Sequence, residues 1–113
     1  MKNAYKLESI ILKGCPYSQA LVELLKAYHI KHKMITVDSN TKSKYKTNII
    51  DTFPQLYIII KGDKKLIGGY NDVKNIIDII NEHRHDLPEI KKHITHPYLK
   101  EKDILRVIYA FSV

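Results

Sequence analysis

The apolar residues of this chain change repeatedly between the spacing of a strand and the spacing of a helix. Short apolar runs bounded by turn residues predict four strands, and the pair Gly62-Asp63 between the last two is typical of a β-hairpin turn. The predicted strands cover residues 7–12, 34–37, 56–60 and 65–67. Helical patterns follow the first, second and last strands. This order predicts an α/β fold with a four-stranded mixed sheet flanked by helices on both faces.

Three helices are predicted between and after these strands. Pro16 fits the first position of the first helix, because the N–H that proline lacks has no helical partner there. Residues 39–41 offer caps for a Lys-rich second helix that continues through Ile50. Asp72 is the predicted N-cap of the third helix, whose apolar residues recur at i, i+3, i+4 and i+7 up to about Glu82.

The last thirty residues differ in character from the rest. We predict a domain over residues 1–83 and a C-terminal extension over residues 84–113 that packs on the same domain. Residues 104–111 fit both a helical stripe and strand alternation, and we favour a helix. A hydrophobic content of 44% in 113 residues is typical of one folded domain and excludes a disordered chain.

The formal net charge of +7 favours acidic partners, but the type of basic residue argues against nucleic acid. Among the 19 basic residues only Arg84 and Arg106 are arginines, so bidentate contacts with phosphates and bases are poorly provided. Nowhere do ~18 apolar residues run together, so we expect no membrane partner. The single cysteine suits a reducing compartment, and a cytoplasmic location is the expectation.

Cys15 lies between the end of the first strand and a helix that begins with proline. The unpaired N–H groups of a first helical turn and the helix dipole both favour a thiolate, and Lys13 adds positive charge nearby. Free cysteine has a pKa of ~8.5, which falls to ~3.5–7.5 in such places. The pattern predicts a reactive thiol; the alternative is a buried structural cysteine.

Three motifs in order carry a resemblance to the glutaredoxins. Cys15-Pro16-Tyr17-Ser18 resembles their CPYC active-site motif, with the serine of a monothiol variant in the last place. Thr52-Phe53-Pro54-Gln55 resembles their T-V-P segment, whose proline is cis, with Phe53 in place of valine. The stretch from Ile67 to Asp72 resembles their G-G-x-x-D glutathione-binding segment. The resemblance spans about residues 5–83.

The resemblance implies a thioredoxin-like fold and a set of roles. Cys15 would be the catalytic nucleophile, with Pro16 and Ser18 completing the active-site motif, and Asp72 would hold the γ-glutamyl ammonium group of glutathione. The implied glutathione-binding residues are Lys13, Tyr17, Thr52, Phe53, Pro54, Tyr70, Asn71 and Asp72. Many family members carry Lys or Arg three residues before the cysteine, where this chain has Leu12. Candidates for the glycyl carboxylate of glutathione are therefore Lys13, Lys42 and Lys44.

The implied function is that of a monothiol glutaredoxin, an enzyme that reduces protein–glutathione mixed disulfides with glutathione as co-substrate. The expected partners are glutathione and glutathionylated proteins, and a monomer suffices. The alternative is a dimer that binds or transfers a 2Fe-2S cluster held by two Cys15 thiolates and two glutathione thiols, which meets the ligand count of such clusters. Family members best known for this have a Gly-Phe pair after the cysteine, whereas Pro16 stiffens the loop here.

Four histidines, at positions 83, 85, 93 and 96, occur late in the chain. His93-x-x-His96 resembles half of a metal site, but no carboxylate or thiolate stands at a matching offset and Pro97 interrupts any helix presenting the pair. We therefore predict surface histidines and no mononuclear metal site.

Overall fold

The chain forms a four-stranded mixed sheet, as the sequence predicts. The structure is a computed structural model that describes residues 5–84 and 86–112. The strands are β1 (Lys6–Leu12), β2 (Lys33–Val37), β3 (Gln55–Ile60) and β4 (Asp63–Gly68). Their order across the sheet is β2-β1-β3-β4, with β1 and β2 parallel and the other neighbours antiparallel.

Four α-helices accompany the sheet. They are α1 (Pro16–Ala27), α2 (Tyr70–Glu82), α3 (Leu87–His93) and α4 (Glu101–Phe111). The helix favoured for residues 104–111 is present as α4, and α3 ends before His96-Pro97. Within the described residues, no helix combines the length and the apolar content that crossing a bilayer requires.

The predicted second helix is wrong: only a single 3₁₀ turn, Lys42–Tyr45, forms there. Side chains compete with a helix for the backbone on both sides of this turn. The Asp38 carboxylate accepts hydrogen bonds from the N–H groups of Asn40 and Thr41, at 2.9 and 3.0 Å. The Thr47 hydroxyl accepts from the N–H groups of residues 49 and 50, at 3.1 and 3.0 Å. The segment therefore reaches β3 as a chain of turns.

Two boundary predictions also need correction. Gly69, not Asp72, is the N-cap of α2, and Asp72 is its third residue, where its carboxylate accepts from the Gly69 N–H at 3.0 Å. The hairpin turn is centred on Lys61 and Gly62, whose φ angles of 52° and 84° are both positive, as the favoured two-residue turns require. In each case the element begins or ends within three residues of its predicted position.

The hydrophobic core lies on one face of the sheet. The register places Leu7, Ile11, Leu56 and Ile58 on that face, and each is at most 8% exposed. The buried apolar side chains of all four helices join them in one cluster: Leu21, Leu25, Val73, Ile76, Ile77, Ile80, Ile90, Val107, Ile108, Ala110 and Phe111. On the opposite face the buried Gln55 side chain donates to the carbonyl oxygens of Tyr45 and Thr52, at 2.9 and 3.1 Å.

The C-terminal helices are held to the sheet by polar contacts as well as by the core. The buried Asp103 carboxylate accepts from Lys65 Nζ of β4 and from Arg106 Nη1, both at 2.8 Å. Residues 87–112 thus share the core of the preceding elements. The division of the chain at residue 83 stays a prediction.

His96 makes a second polar contact between the extension and the sheet. Its Nδ1 accepts from the N–H groups of Tyr98 and Leu99, each at 3.1 Å. Its Nε2 lies 2.7 Å from the Ile67 carbonyl oxygen. With Nδ1 acting as an acceptor, the ring proton is on Nε2 and is donated to Ile67.

Candidate active site around Cys15

Cys15 lies at the junction of β1 and α1, as the sequence predicts. Gly14, with φ of 81°, turns the chain after β1. The Cys15 N–H donates to the Leu12 carbonyl at 3.1 Å, and the Cys15 carbonyl accepts from Gln19 at 3.0 Å as the first helical hydrogen bond. Cys15 is the N-cap of α1, with Pro16 at the first helical position. The thiol therefore stands over the free N–H groups of the first turn.

The surroundings of Cys15 lower the pKa of its thiol below the ordinary value. Partial burial acts most strongly and raises the pKa, but three hydrogen bonds to the sulfur together outweigh it. They come from the backbone N–H and hydroxyl of Ser18 and the backbone N–H of Tyr17. All the effects that lower this pKa are hydrogen bonds to the sulfur, and the positive charge of Lys13 is not among them.

Ser18 takes a direct part in this arrangement. Its side chain is fully buried, its Oγ accepts from the Leu12 N–H at 3.0 Å, and its hydroxyl is one of the groups whose hydrogen bonds lower the pKa of the Cys15 thiol. The sequence alone presents Ser18 only as the residue that stands in place of a second thiol. The available signal was its place in the first turn of α1, three residues after the N-cap, where N-terminal hydrogen bonds converge.

Phe53 and Pro54 face the thiol from across the site. Cys15 Sγ lies 3.9 Å from the Phe53 carbonyl oxygen. The Phe53–Pro54 peptide bond is cis, as the resemblance implies. The segment before β3 thus forms the wall opposite α1.

A cleft of about 420 Å³ opens beside this wall. It is lined by Tyr17, Ile50, Thr52, Phe53, Pro54, Gly69, Tyr70, Asn71 and Asp72. The rings of Tyr17 and Tyr70, with centroids 6.3 Å apart, stand on one side. Seven of the residues predicted to bind glutathione therefore meet at one cleft. Ile50 and Gly69 also line the cleft but are not among the predicted residues. The sequence places Ile50 in a predicted helix that does not form.

Close packing at the start of α2 holds Asp72 at the rim of the cleft. Gly68 has a φ of 145°, and a Cβ there would lie 2.6 Å from Asp72 Cβ and 2.7 Å from Asp72 Cγ, so only glycine fits. A Cβ on Gly69 would lie 3.4 Å from the Pro54 carbonyl oxygen, so the start of α2 lies close to the segment before β3. The side chains of Asn71 and Asp72 remain exposed to an incoming ligand.

Lys13 is predicted to bind glutathione, but it does not line the cleft. It lines a separate groove of about 480 Å³ together with Cys15 itself, Gln19 and Met34. Lys42 and Lys44 belong to the 3₁₀ turn and do not line the cleft either. Which cation meets the glycyl carboxylate stays a prediction.

The late histidines separate into two groups. His96 is used to join the extension to β4, so it does not pair with His93. His93 instead lies beside His83 and Glu89, a combination from two helices that sequence spacing did not reveal. His85 lies outside the described residues.

Comparisons with known proteins agree with this geometry. The sequence model described as Glutaredoxin matches residues 4–63, which include Cys15 and the 52–54 segment and amount to 60 of the 113 residues. Glutaredoxin 1 from Francisella tularensis, crystallised in complex with cacodylate, has a TM-score of 0.56 at 25% identity, over 70% of this chain and 99% of that one. Reduced thioredoxin pre-protein from Schistosoma mansoni has a TM-score of 0.44 at 20% identity, over 72% and 80%. No curated protein sequence matches. Because the family match spans more than half of the sequence, the chain belongs to the glutaredoxin family.

Proposed function

We propose that this protein reduces protein–glutathione mixed disulfides by a monothiol mechanism, with glutathione as co-substrate. The observation that carries the proposal is the placement of a thiol with a lowered pKa next to a cleft lined by seven residues predicted to bind glutathione. The chain has a single cysteine, so Cys15 must act without a second thiol of its own.

The polar groups of the cleft match those of glutathione. Glutathione carries two carboxylates and one ammonium group, and the exposed Asp72 carboxylate offers an acceptor for the ammonium. The first N–H groups of α2 suit the adjacent γ-glutamyl carboxylate, because a helix N-terminus favours anions. The cleft volume of about 420 Å³ lies within the range of small-molecule sites. Glutathione would thus bind with its sulfur toward Cys15.

The reaction proceeds in two thiol–disulfide exchanges. The Cys15 thiolate attacks the glutathione sulfur of the mixed disulfide, the sulfur–sulfur bond breaks, and the protein thiolate leaves and takes a proton from solvent. A second glutathione thiolate then attacks the glutathione sulfur bound to Cys15. Glutathione disulfide leaves and the Cys15 thiolate is restored. Each turnover therefore consumes one free glutathione thiol: one sulfur–sulfur bond, in the mixed disulfide, is broken, one is formed in glutathione disulfide, and the protein sulfur returns to the thiol.

The direct test is glutathione-dependent reduction of a small glutathionylated peptide. Wild type should turn over with saturable dependence on glutathione, and Cys15→Ser should reduce the rate to the uncatalysed level, because it removes the nucleophile. Gln19→Ala, an exposed change one turn into α1, is the matched control and should keep the activity. Turnover by Cys15→Ser equal to wild type would reject the proposal.

A second test addresses the monothiol step. Wild type should act poorly on intramolecular protein disulfides, since nothing but glutathione can release Cys15 from a mixed disulfide. Ser18→Cys places a thiol where a hydroxyl already faces the Cys15 sulfur, so it should form an internal disulfide and gain activity on protein disulfides. Mass spectrometry should show a loss of two hydrogens on oxidation. Equal activity of wild type and the variant, or activity without glutathione, would contradict the mechanism.

The alternative of a 2Fe-2S cluster also stays a proposal. Cys15 is partly exposed, and its sulfur lies 3.9 Å from the carbonyl oxygen of the cleft residue Phe53, which fits a ligand shared between two copies, each with one glutathione. A redox enzyme of this kind is expected to be a monomer, whereas the cluster requires a dimer. Protein prepared without oxygen in the presence of glutathione should be colourless; a brown dimer that loses its colour in Cys15→Ser would favour the cluster. A cytoplasmic location and the lack of nucleic-acid partners remain expectations.

A further inference from the structure

Three side chains that could bind a metal ion meet where α2 ends and α3 follows. His83 is the C-cap of α2, and Glu89 and His93 lie one turn apart on α3. The imidazole nitrogen and carboxylate oxygen atoms of the three residues all lie within 4.8 Å of one another. The group belongs to the C-terminal extension and its junction with α2, away from Cys15 and the residues that line the cleft.

We propose that His83, Glu89 and His93 form a binding site for a divalent transition-metal ion of the Zn²⁺ type. Two imidazole nitrogens and one carboxylate oxygen suit Zn²⁺, Co²⁺ or Ni²⁺, whereas Mg²⁺ and Ca²⁺ prefer oxygen ligands alone. Three protein ligands with water in a fourth position give a familiar four-coordinate zinc arrangement. The single carboxylate leaves the site with a formal charge of +1 when a divalent ion is bound.

The neighbours of the site orient the carboxylate toward the histidines. Lys92 Nζ lies 3.1 Å from Glu89 Oε2, which leaves Oε1 facing His93 Nε2 at 3.5 Å. Glu82 Oε2 lies 3.9 Å from His83 Nε2, so this carboxylate places negative charge beside the ring on the side of α2. Charged groups that hold a ligand from its far side are common around metal sites.

The two histidine rings are stacked, with centroids 4.5 Å apart and planes inclined by 6°. Parallel rings cannot both direct an in-plane nitrogen lone pair at one ion, so metal binding requires one ring to turn. The His93 side chain is 49% exposed against 25% for His83, so His93 is the ring with room to turn. A bound ion would then join the end of α2 to α3 and fix the start of the extension.

The experiment measures Zn²⁺ and Co²⁺ binding to the full chain in a Cys15→Ser background, which removes the thiolate as a competing ligand. Saturable one-to-one binding is expected by titration calorimetry, and Zn²⁺ at about 100 times its Kd should raise the Tm by about 5 °C or more. His93→Gln, Glu89→Gln and His83→Gln should each weaken binding by about tenfold or more.

The control is His29→Asn, an exposed histidine outside the site whose φ of 57° asparagine tolerates well. It should leave both the Kd and the Tm shift unchanged. His93→Gln is the decisive variant, because its exposed side chain can be replaced without disturbing the core. No saturable binding up to about 1 mM Zn²⁺, or binding that survives all three substitutions, would overturn the proposal.

Discussion

At the scale of single residues, Ser18 connects the strand before the site to the reacting sulfur. Its oxygen accepts the N–H of Leu12, the last residue of β1, and its proton is donated to Cys15. The hydroxyl is therefore satisfied on both sides while being fully buried. A serine here does more than remove a resolving thiol, because it stabilises the anionic form of the one that remains.

Ser18→Ala should raise the pKa of the Cys15 thiol, because it removes one of the hydrogen bonds that stabilise the thiolate. With a higher pKa, a smaller fraction of the sulfur is thiolate at neutral pH, so alkylation and turnover should both slow there. The rate of alkylation against pH measures the change. The lost partner of the Leu12 N–H should also cost about 1–3 kcal/mol of stability.

Gln19→Ala is the control for this measurement as well, since Gln19 is exposed and its side chain bonds Glu23. It should leave the alkylation profile in place. If the midpoint of alkylation against pH in Ser18→Ala lies at or below that of wild type, Ser18 does not lower the pKa of the Cys15 thiol.

Asp72→Ala should raise the KM for glutathione more than it lowers the rate at saturation, since the carboxylate acts on the ammonium group and not on the reacting sulfur. The variant also loses the bond to the Gly69 N–H, at a cost of about 1 kcal/mol. Steady-state kinetics and thermal unfolding separate the two effects. Asp78→Ala, on the exposed side of α2, should leave the KM for glutathione unchanged and alter the stability by less than about 1 kcal/mol. An unaltered KM in folded Asp72→Ala protein would exclude the proposed role.

At the scale of secondary-structure elements, the Lys65–Asp103–Arg106 group attaches α4 to β4. Asp103→Asn should lower the free energy of unfolding by about 2–4 kcal/mol, because Lys65 and Arg106 lose their charged partner. Both positive groups are partly exposed, so water reduces the cost. Chemical denaturation at neutral pH provides the measurement. Glu101 lies in the same helix as Asp103 and forms a surface ion pair with Lys91 of α3, so Glu101→Gln should cost less than about 1 kcal/mol.

The same group predicts how stability depends on pH. The hydrogen bond from Lys65 holds the pKa of Asp103 below its usual value, burial opposes this, and Arg106 adds to the lowering. A pKa lowered in the folded state means that the stabilisation is complete above pH about 4, the ordinary aspartate value, and is lost as pH falls through the lower folded value. Unfolding curves at acidic pH should therefore converge for wild type and Asp103→Asn. Curves that stay equally far apart would contradict this.

The elements that repeat a simple period were predictable, and those set by side-chain bonds were not. The strands and α1 follow from apolar spacing and from Pro16. The turns around residues 38–50 depend on Asp38 and Thr47 holding nearby N–H groups, which an apolar pattern does not show. At the site, the structure brings Tyr17 and residues of the other two motifs to one cleft, whereas the role of Ser18 and the approach of His83 to His93 depend on three-dimensional contacts.

At the scale of the whole molecule, the C-terminal extension is part of the hydrophobic core. Ile90, Ile94 and Phe111 are buried in the cluster that contains the inner residues of α2. A protein truncated after Glu82 would expose that apolar surface of α2.

Phe111→Ala should lower the free energy of unfolding by about 3–5 kcal/mol, because it opens a cavity among buried side chains. Tyr109→Ala, in the same helix but 55% exposed, should have a small effect. Thermal unfolding of the two variants gives the comparison. Below its lowered Tm, Phe111→Ala should keep the turnover of glutathionylated peptide, as every motif of the site lies before the extension. Similar stability losses in both variants would show that α4 is not packed as described.

The hydrogen bond from His96 to the Ile67 carbonyl joins the extension to the strand end beside the proposed glutathione cleft, so we expect the two to be thermodynamically linked. Ile67 directly precedes Gly68 and Gly69, so any fluctuation that opens this strand end releases both the histidine and the rim of the cleft. A ligand that suppresses such openings must protect both sides. S-methylglutathione, which cannot react, should therefore slow amide hydrogen exchange at Tyr98 and Leu99, whose N–H groups the same histidine accepts, although neither residue lines the cleft.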